Sequence, residues 1–283
     1  MMYRLILVLV INCYITNSWA SNELQEMEYA EEIESSYSIG QAIWLQAKGR
    51  NFITLHTETE QPESAGAAII LHPMNGHPNQ KKLINPLRTY LPQHHWTTLS
   101  IQMPVLGIDA KEQEYYPLFD DAQARIQAGV DYLTATTKVK NIVLIGYGLG
   151  GQMATYYLKD KGKKKKDDNT PAVKAIVAIS LSVPKTEDKR VQILDFISQI
   201  KQPFFDIYAE YDLPAVTESA RKRRIASKAS PAYRQIQIEG EGHLFEHDEG
   251  WVVKRIYSWI YKTFNKTQNE PEPESTSQIP LDP

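Results

Sequence analysis

The sequence predicts an α/β fold with a mostly parallel central sheet and helices on both of its faces. Short apolar or β-branched runs of strand length recur along the chain, and amphipathic patterns of helical length separate most of them. Strands that are apolar throughout are typical of parallel sheets covered on both sides. A glycine-rich turn, Gly146 to Gly151, joins one such strand to a helix.

The predicted elements form a single domain over residues 41–266, preceded by a polar lead at 21–40. Gln41–Gln46 and Asn51–His56 flank a short turn and indicate a hairpin. The further strand patterns are Ala67–His72, Thr97–Ile101, Asn141–Ile145, Ala175–Leu181, Phe204–Ala209 and Tyr233–Ile238. Apolar residues recur at helical spacing in two segments, which contain Ala122, Ile126, Val130 and Leu133, and Val252, Ile256, Trp259 and Ile260. A further helix is predicted to begin at about Gln152.

Composition excludes several classes of protein. The 283 residues are 42% hydrophobic and 23% charged, which is typical of a globular chain and not of a disordered or fibrous one. The net charge of −3 gives no support to nucleic-acid binding. The single cysteine excludes a disulfide framework. Core packing is the expected role of the tryptophans in strands and helices, Trp44, Trp96, Trp251 and Trp259.

Residues 1–20 have the pattern of a secretory signal peptide. Arg4 precedes the apolar run Leu5–Ile11, and small residues come before a cleavage point after Ala20. The apolar run is shorter than the ~20 residues that span a bilayer. We therefore expect a secreted, periplasmic protein. A lipid anchor at Cys13 is disfavoured because Asn12 occupies the position of a small residue; an uncleaved helical anchor is the other alternative.

Three segments are interpreted from charge and composition alone. Lys161–Lys166 is expected to be a solvated loop. Arg221–Arg224 is expected to be solvated as well, with a polyanion-binding surface as the alternative. Residues 267–283, rich in Pro, Glu, Ser and Thr, are expected to be a disordered tail.

The glycine turn matches two templates. Gly146, Gly148 and Gly151 fit the G-x-G-x-x-G pattern of dinucleotide sites. Gly146 and Gly150 fit the G-x-S-x-G nucleophile elbow, with Gly148 where serine belongs. A dinucleotide site usually opens its fold and has an acidic residue at the end of the next strand. Here several strands come first and no carboxylate ends the next one, so the elbow is favoured, and a dinucleotide-binding oxidoreductase is the less favoured alternative.

Two residues downstream strengthen the elbow interpretation. Asp212 comes just after the predicted strand Phe204–Ala209, and His243 follows the last strand in a glycine-flanked loop. Elbow, acid and histidine in this order along the chain are the order found in α/β-hydrolases.

On these residues the sequence resembles an α/β-hydrolase over residues 41–264. It is most similar to a family of exported bacterial α/β-hydrolase-like proteins of unestablished function, through Ala42–Leu45, Leu71-His72, Gly76-His77-Pro78, Gly146–Gly150 and Gly242-His243. The resemblance implies that Asp212 is the triad acid, that His243 is the base, and that His72–Gly76 is the oxyanion loop.

Gly148 departs from the family pattern because it has no hydroxyl to form an acyl-enzyme. We therefore expect a non-catalytic binding or scaffold protein, with Asp212 and His243 as a vestigial pair. Its ligand is expected to be a small or lipid-like molecule, or an envelope protein. Neither a cofactor nor a metal is expected. The residues expected to contribute to binding are His72, Asn75, Gly76, Tyr147 and Leu149.

Several alternatives remain open from the sequence. His243 activating water, or Ser180 or Ser182 replacing the nucleophile, would make the protein a hydrolase. His243 to His247 also spells H-x-x-E-H, a zinc motif that needs a helix, whereas the flanking glycines favour a loop. The long connection after the Thr97 strand is expected to line the cleft with Met103, Tyr115, Tyr116 and Phe119.

Overall fold

The computed structural model describes residues 21–137, 139–159, 173–230 and 232–265, which form one α/β domain. Its centre is an eight-stranded sheet in the order β1-β2-β4-β3-β5-β6-β7-β8. The predicted signal peptide, the Lys161–Lys166 run and the 267–283 tail lie outside the described residues. Within the described chain, no helix combines the length and the apolar character needed to cross a membrane.

The strands lie close to where the sequence predicts them. Their bounds are β1 Gln41–Ala47, β2 Arg50–Thr57, β3 Gly66–Leu71, β4 Trp96–Ile101, β5 Ile142–Tyr147, β6 Val173–Ile179, β7 Phe204–Tyr211 and β8 Tyr233–Gly242. β1 and β2 pair antiparallel as the predicted hairpin, and β2 pairs antiparallel with β4. All later neighbours are parallel. The predicted fold class is confirmed.

Helices cover both faces of the sheet. Their bounds are α1 Glu23–Ser36, α2 Ile84–Tyr90, α3 Phe119–Thr137, α4 Leu149–Leu158, α5 Ile193–Gln199, α6 Pro214–Thr217, α7 Ala220–Ala226 and α8 Glu249–Asn265. Alternate residues of a strand point to opposite faces. Ile69 of β3 therefore packs in the core with α3, α4 and α5, whereas Ile70 packs in the core with α2 and α8.

The segment predicted as a polar lead contains helix α1, which packs on the domain. Glu26, Ala30 and Ile33 share its buried face. Arg125 of α3 forms an ion pair with Glu26, with Arg125 Nη2 2.9 Å from Glu26 Oε2. One of the three buried residues of α1 is a charged side chain in an ion pair. The segment therefore has too few apolar residues for its sequence to show the spacing of an amphipathic helix.

Two predictions about side-chain burial are wrong. Trp44 and Trp251 are 49% and 38% exposed, whereas Trp96 and Trp259 are core residues as expected. In the run Arg221–Arg224, Arg223 is fully buried and only its neighbours are exposed. Arg223 faces inward on α7 because Asp206 of β7 provides a buried carboxylate for it.

Candidate functional site

The turn between β5 and α4 has the backbone of a nucleophile elbow. Gly148 has φ +53° and ψ −118°, a conformation that L side chains rarely adopt. A Cβ at Gly146 would lie 2.5 Å from the oxygen of Gly150, and one at Gly150 would lie 2.5 Å from the oxygen of Leu71. These two glycines are therefore required for close approach of the backbone.

Gly148 itself has room for a side chain. A Cβ built there meets only Pro73 Cβ within 4 Å, outside the chain neighbours of Gly148, and the separation of 3.5 Å is ordinary van der Waals contact. The main obstacle to another residue at this position is backbone strain, since the surrounding atoms leave space.

The start of α4 provides hydrogen-bond donors next to this space. Leu149 is the first residue of the helix, and the first N–H groups of a helix have no intrahelical acceptor. The helix dipole adds partial positive charge at this end, which favours an anion or a carbonyl oxygen. The leucine side chain is buried, so the donor that Leu149 offers is its backbone.

Asp212 and His243 come together as the sequence predicts. Asp212 follows β7 and His243 follows β8, and His243 Nδ1 lies 2.7 Å from Asp212 Oδ1. Burial tends to raise the pKa of Asp212, but hydrogen bonds from His243, Ser180 and the Ala209 N–H outweigh it and lower the pKa overall. The carboxylate therefore stays ionised and orients the imidazole, leaving Nε2 for the cleft.

Two further residues support this pair. Ser180 donates its hydroxyl to Asp212 Oδ2 at 2.5 Å, from a backbone with φ +50°. Tyr147, the residue before Gly148, donates its hydroxyl to the His243 carbonyl at 2.7 Å. Burial raises the pKa of Tyr147, which keeps this donor protonated. These contacts bring the elbow, the acid and the histidine together in one site.

The contacts of Ser180 and Tyr147 differ from the roles expected for them. The Ser180 hydroxyl is used by Asp212, and the Ser182 hydroxyl accepts from Gln152 Nε2 at 2.6 Å, so neither is placed as a substitute nucleophile on His243. Tyr147 is buried behind His243 and does not line the cleft.

His72 supports the oxyanion loop from inside. Its Nδ1 donates to the Pro73 carbonyl at 2.8 Å, and its Nε2 accepts from the Met103 N–H at 2.9 Å and from Gln102 Nε2. Burial lowers the pKa of His72 to about 3, so the ring is neutral. The expected binding role of this side chain is corrected, because both of its nitrogens are used within the protein.

Asn75 and Gly76 shape the same loop. Asn75 has φ +57° and accepts from the Tyr115 hydroxyl at 2.7 Å, and the Gly76 N–H closes a turn on the Pro73 carbonyl. A Cβ at Gly76 would meet Gln80 Oε1 at 2.3 Å. The Asn75 side chain is therefore used within the protein, where it accepts from Tyr115, and the expected binding role of this side chain is corrected.

The connection after β4 is more buried than expected. The predicted cleft residues Met103, Tyr115, Tyr116 and Phe119 are at most 5% exposed and belong to the core. Gln152 of α4 and Glu112 were not expected near the elbow, where Gln152 Nε2 donates to Glu112 Oε1 at 2.7 Å. Nothing in their local pattern distinguishes them from ordinary surface residues.

The two competing motifs lack their required context. His243 and His247 precede α8, so the H-x-x-E-H segment is a turn and not one face of a helix. In the described part of the chain, no group of three or more potential ligands is placed to hold a metal ion. In a dinucleotide site, an acidic residue at the end of the next strand binds the ribose. Here the residue at the end of β6 is Ser180, which donates its hydroxyl to Asp212.

A family model described as "Protein of unknown function (DUF3530)" matches residues 23–112 and 112–262. The chain belongs to this family. Both halves of the site, the elbow and the Asp212–His243 pair, fall inside the matched part of the DUF3530 chain. A comparison with curated proteins finds no match.

Solved structures that share this fold include proteins described as serine hydrolases and esterases. Est1E from Butyrivibrio proteoclasticus is 16% identical with a TM-score of 0.61, over 79% of this chain and 99% of that one. The esterase Pf2001 from Pyrococcus furiosus is 16% identical with a TM-score of 0.62, over 79% and 92%. XC6422 from Xanthomonas campestris, a serine hydrolase without a lid, is 12% identical with a TM-score of 0.61, over 80% and 96%. At these identities the likeness establishes the α/β-hydrolase fold alone.

The buried His72 predicts a specific loss of stability in acid. Its native pKa of about 3 lies below the ordinary histidine pKa of 6.5, so below pH 6.5 the unfolded chain binds a proton that the native protein does not. Stability from this group is therefore full above pH 6.5 and falls by about 1.4 kcal/mol per pH unit toward pH 3. Urea unfolding between pH 7 and pH 4.5 measures this slope.

The matched variant is His72→Gln, which has no titrating ring. His56 and His77, whose pKa values burial also lowers, remain in both proteins. We expect the variant to be less stable at pH 7 but to lose stability less steeply on acidification. Equal slopes for the two proteins would show that His72 does not cause the acid sensitivity.

Proposed function

We propose that this protein is a ligand-binding member of the α/β-hydrolase superfamily that holds a carboxylate or carbonyl compound in its former catalytic cleft. The observation that carries the proposal is the absence of a hydroxyl on Gly148 at an elbow whose Asp212–His243 pair is intact. Without that hydroxyl no acyl-enzyme forms by the triad route.

The remaining groups suit binding of an oxygen-bearing ligand. The Leu149 N–H at the start of α4 is a donor for a carboxylate or carbonyl oxygen. The His243 side chain is 28% exposed, and its Nδ1 is fixed by Asp212, so Nε2 is available to a ligand. The space at Gly148, bounded by Pro73, admits the ligand where a serine would stand.

Ferulate is a suitable probe because one structure with this fold is described as ferulic acid bound to Est1E. We expect saturable ferulate binding in calorimetry, with a dissociation constant in the range of about 10 µM to 1 mM, typical of a small ligand. His243→Ala is expected to weaken binding about tenfold, the loss of one charge-assisted hydrogen bond. No measurable binding by the unchanged protein would refute the proposal.

A second candidate function is hydrolysis by water activated at His243, and the intact Asp212–His243 contact of 2.7 Å favours it. Turnover of p-nitrophenyl acetate distinguishes the two functions. The binding proposal expects no turnover above a protein-free control. Turnover that disappears in His243→Ala would establish the hydrolase instead.

We also propose that the protein is exported and acts in the periplasm, on the signal-peptide pattern of residues 1–20. Cleavage after Ala20 would leave Ser21 at the N-terminus, where its side chain is buried and its hydroxyl donates to the Val105 carbonyl at 3.0 Å. The intact mass of the protein recovered from a periplasmic fraction tests this, and a mass that includes residues 1–20 would contradict it.

A further inference from the structure

Among the residues that the structure describes, the charged side chains that line a groove between the edge strand β8 and helix α8 are all positive. Arg234 comes from β8, and Arg255 and Lys262 come from α8. The groove has a volume of about 220 Å³, and its uncharged polar lining is Gln237 and Ser258. No carboxylate lines it among the described residues.

The spacing of the lining residues explains why they converge. On α8 the residues Trp251, Arg255, Ser258 and Lys262 recur at intervals of four, three and four, which places them on one face of the helix. On β8, Arg234 and Ile236 are two residues apart and therefore share a face of the strand. The cations face each other across one groove as a result of regular secondary structure.

Among the described residues, these cations have no carboxylate partners. In the described part of the chain no Asp or Glu lies within ion-pair distance of the cationic groups of Arg234, Arg255 or Lys262. The larger groove beside α5 and α6 differs, because it contains Lys185 and Lys222 together with acidic residues. The potential in the β8–α8 groove is therefore positive and uncompensated by side chains of the described fold.

Arg255 is held in position by an aromatic ring. Its guanidinium lies over the ring of Trp251, 4.2 Å from the ring centroid, which is cation–π geometry. A guanidinium fixed in this way keeps its N–H donors in a planar fork that matches phosphate oxygens. Below it, Phe205 and Trp259 stack with centroids 5.2 Å apart and form an apolar floor.

We propose that the β8–α8 groove binds a phosphate group, either free or as the headgroup of an anionic phospholipid. Arg234, Arg255 and Lys262 supply the positive donors, and the apolar floor contacts the uncharged part of a phosphorylated ligand. This site is separate from the cleft, since Arg234 lies at the start of β8 and His243 follows its opposite end. Binding in the groove therefore does not depend on what the cleft binds.

The first test is a calorimetric titration of the full protein with inorganic phosphate at low ionic strength, with sodium chloride as the blank titrant. We expect saturable binding in the millimolar range or tighter, weakened by added salt. Arg255→Gln and Arg234→Gln are each expected to raise the dissociation constant about tenfold. Lys254→Gln is the matched control, since it removes a positive charge from the same helix outside the groove.

The second test separates the two sources of phosphate. Vesicles of phosphatidylcholine with phosphatidylglycerol are sedimented with the protein and compared with pure phosphatidylcholine vesicles. Arg255-dependent binding to the anionic vesicles identifies a headgroup site, whereas Arg255-dependent binding of inorganic phosphate alone identifies a free-phosphate site.

Circular dichroism and thermal unfolding of each variant verify its fold. If Arg255→Gln is misfolded, Lys262→Gln replaces it in both tests. Binding of neither probe, or losses in Lys254→Gln equal to those in the groove variants, would overturn the proposal.

Discussion

Serine at position 148 is expected to turn this protein into an esterase. Gly148→Ser places a hydroxyl on the elbow, where Gly148 already has the φ of +53° and the free space of a nucleophile. His243, oriented by Asp212, is available to take its proton, and the Leu149 N–H is available to the oxyanion. We expect p-nitrophenyl acetate turnover to rise by about 10³-fold or more over the unchanged protein.

Gly148→Ala is the matched control, because alanine has the same backbone strain without the hydroxyl. Both variants are expected to lose about 1–3 kcal/mol of unfolding free energy through the positive φ. Only the serine variant is expected to form an acyl-enzyme, detected as an increase in intact mass, and His243→Ala in that background should abolish it. Serine and alanine variants of equal activity would show that the site is not arranged for acyl transfer.

The second large expected effect is a loss of stability when the buried ion pair between Arg223 of α7 and Asp206 of β7 is broken. Arg223 Nε lies 2.8 Å from Asp206 Oδ2, both side chains are fully buried, and Arg223 Nη1 also donates to the Val216 carbonyl at 2.7 Å. Asp206 additionally accepts from the Tyr233 hydroxyl. Arg223→Gln leaves the Asp206 charge buried without its counter-ion, so we expect a loss of about 3–5 kcal/mol in unfolding free energy.

Arg224→Gln is the control for this experiment, since it removes the neighbouring, exposed charge of the same run. Its expected effect is within about 0.5 kcal/mol. The double variant Asp206→Asn/Arg223→Gln should be less destabilised than the sum of the two single variants, because no charge is left buried. Urea unfolding of the set measures these differences, and equal losses for Arg223→Gln and Arg224→Gln would contradict the assignment.

The sheet and the centre of the site were predictable because their signals are local. Runs that are apolar, or that alternate apolar and polar residues, mark the strands, and the glycines at 146 and 150 mark the elbow because no side chain fits there. Asp212 and His243 follow strand ends, and the carboxyl ends of neighbouring parallel strands meet at one edge of the sheet. Because Asp212 and His243 each follow the end of one of two neighbouring parallel strands, their approach could be predicted from the sequence.

Side-chain directions within loops were not predictable in the same way. His72 and Tyr147 are close in sequence to residues of the cleft, yet their side chains point inward. The reason is a partner distant in the chain: His72 accepts a hydrogen bond from the Met103 N–H, and Tyr147 donates one to the His243 carbonyl. The inward direction of Arg223 similarly depends on Asp206, 17 residues earlier. A charge run in a sequence does not reveal which of its members has a buried partner.

Helix α1 has a consequence for the order in which the protein folds. The partners of this helix and of Ser21 just before it are distant: Val105 lies 84 residues after Ser21, and Arg125 lies 99 residues after Glu26. Closing such long loops is entropically unfavourable until the distant elements have formed their own structure. Although it is synthesised early, α1 is therefore expected to be among the last segments to dock, which keeps the region of the proposed cleavage site accessible while the rest of the domain assembles.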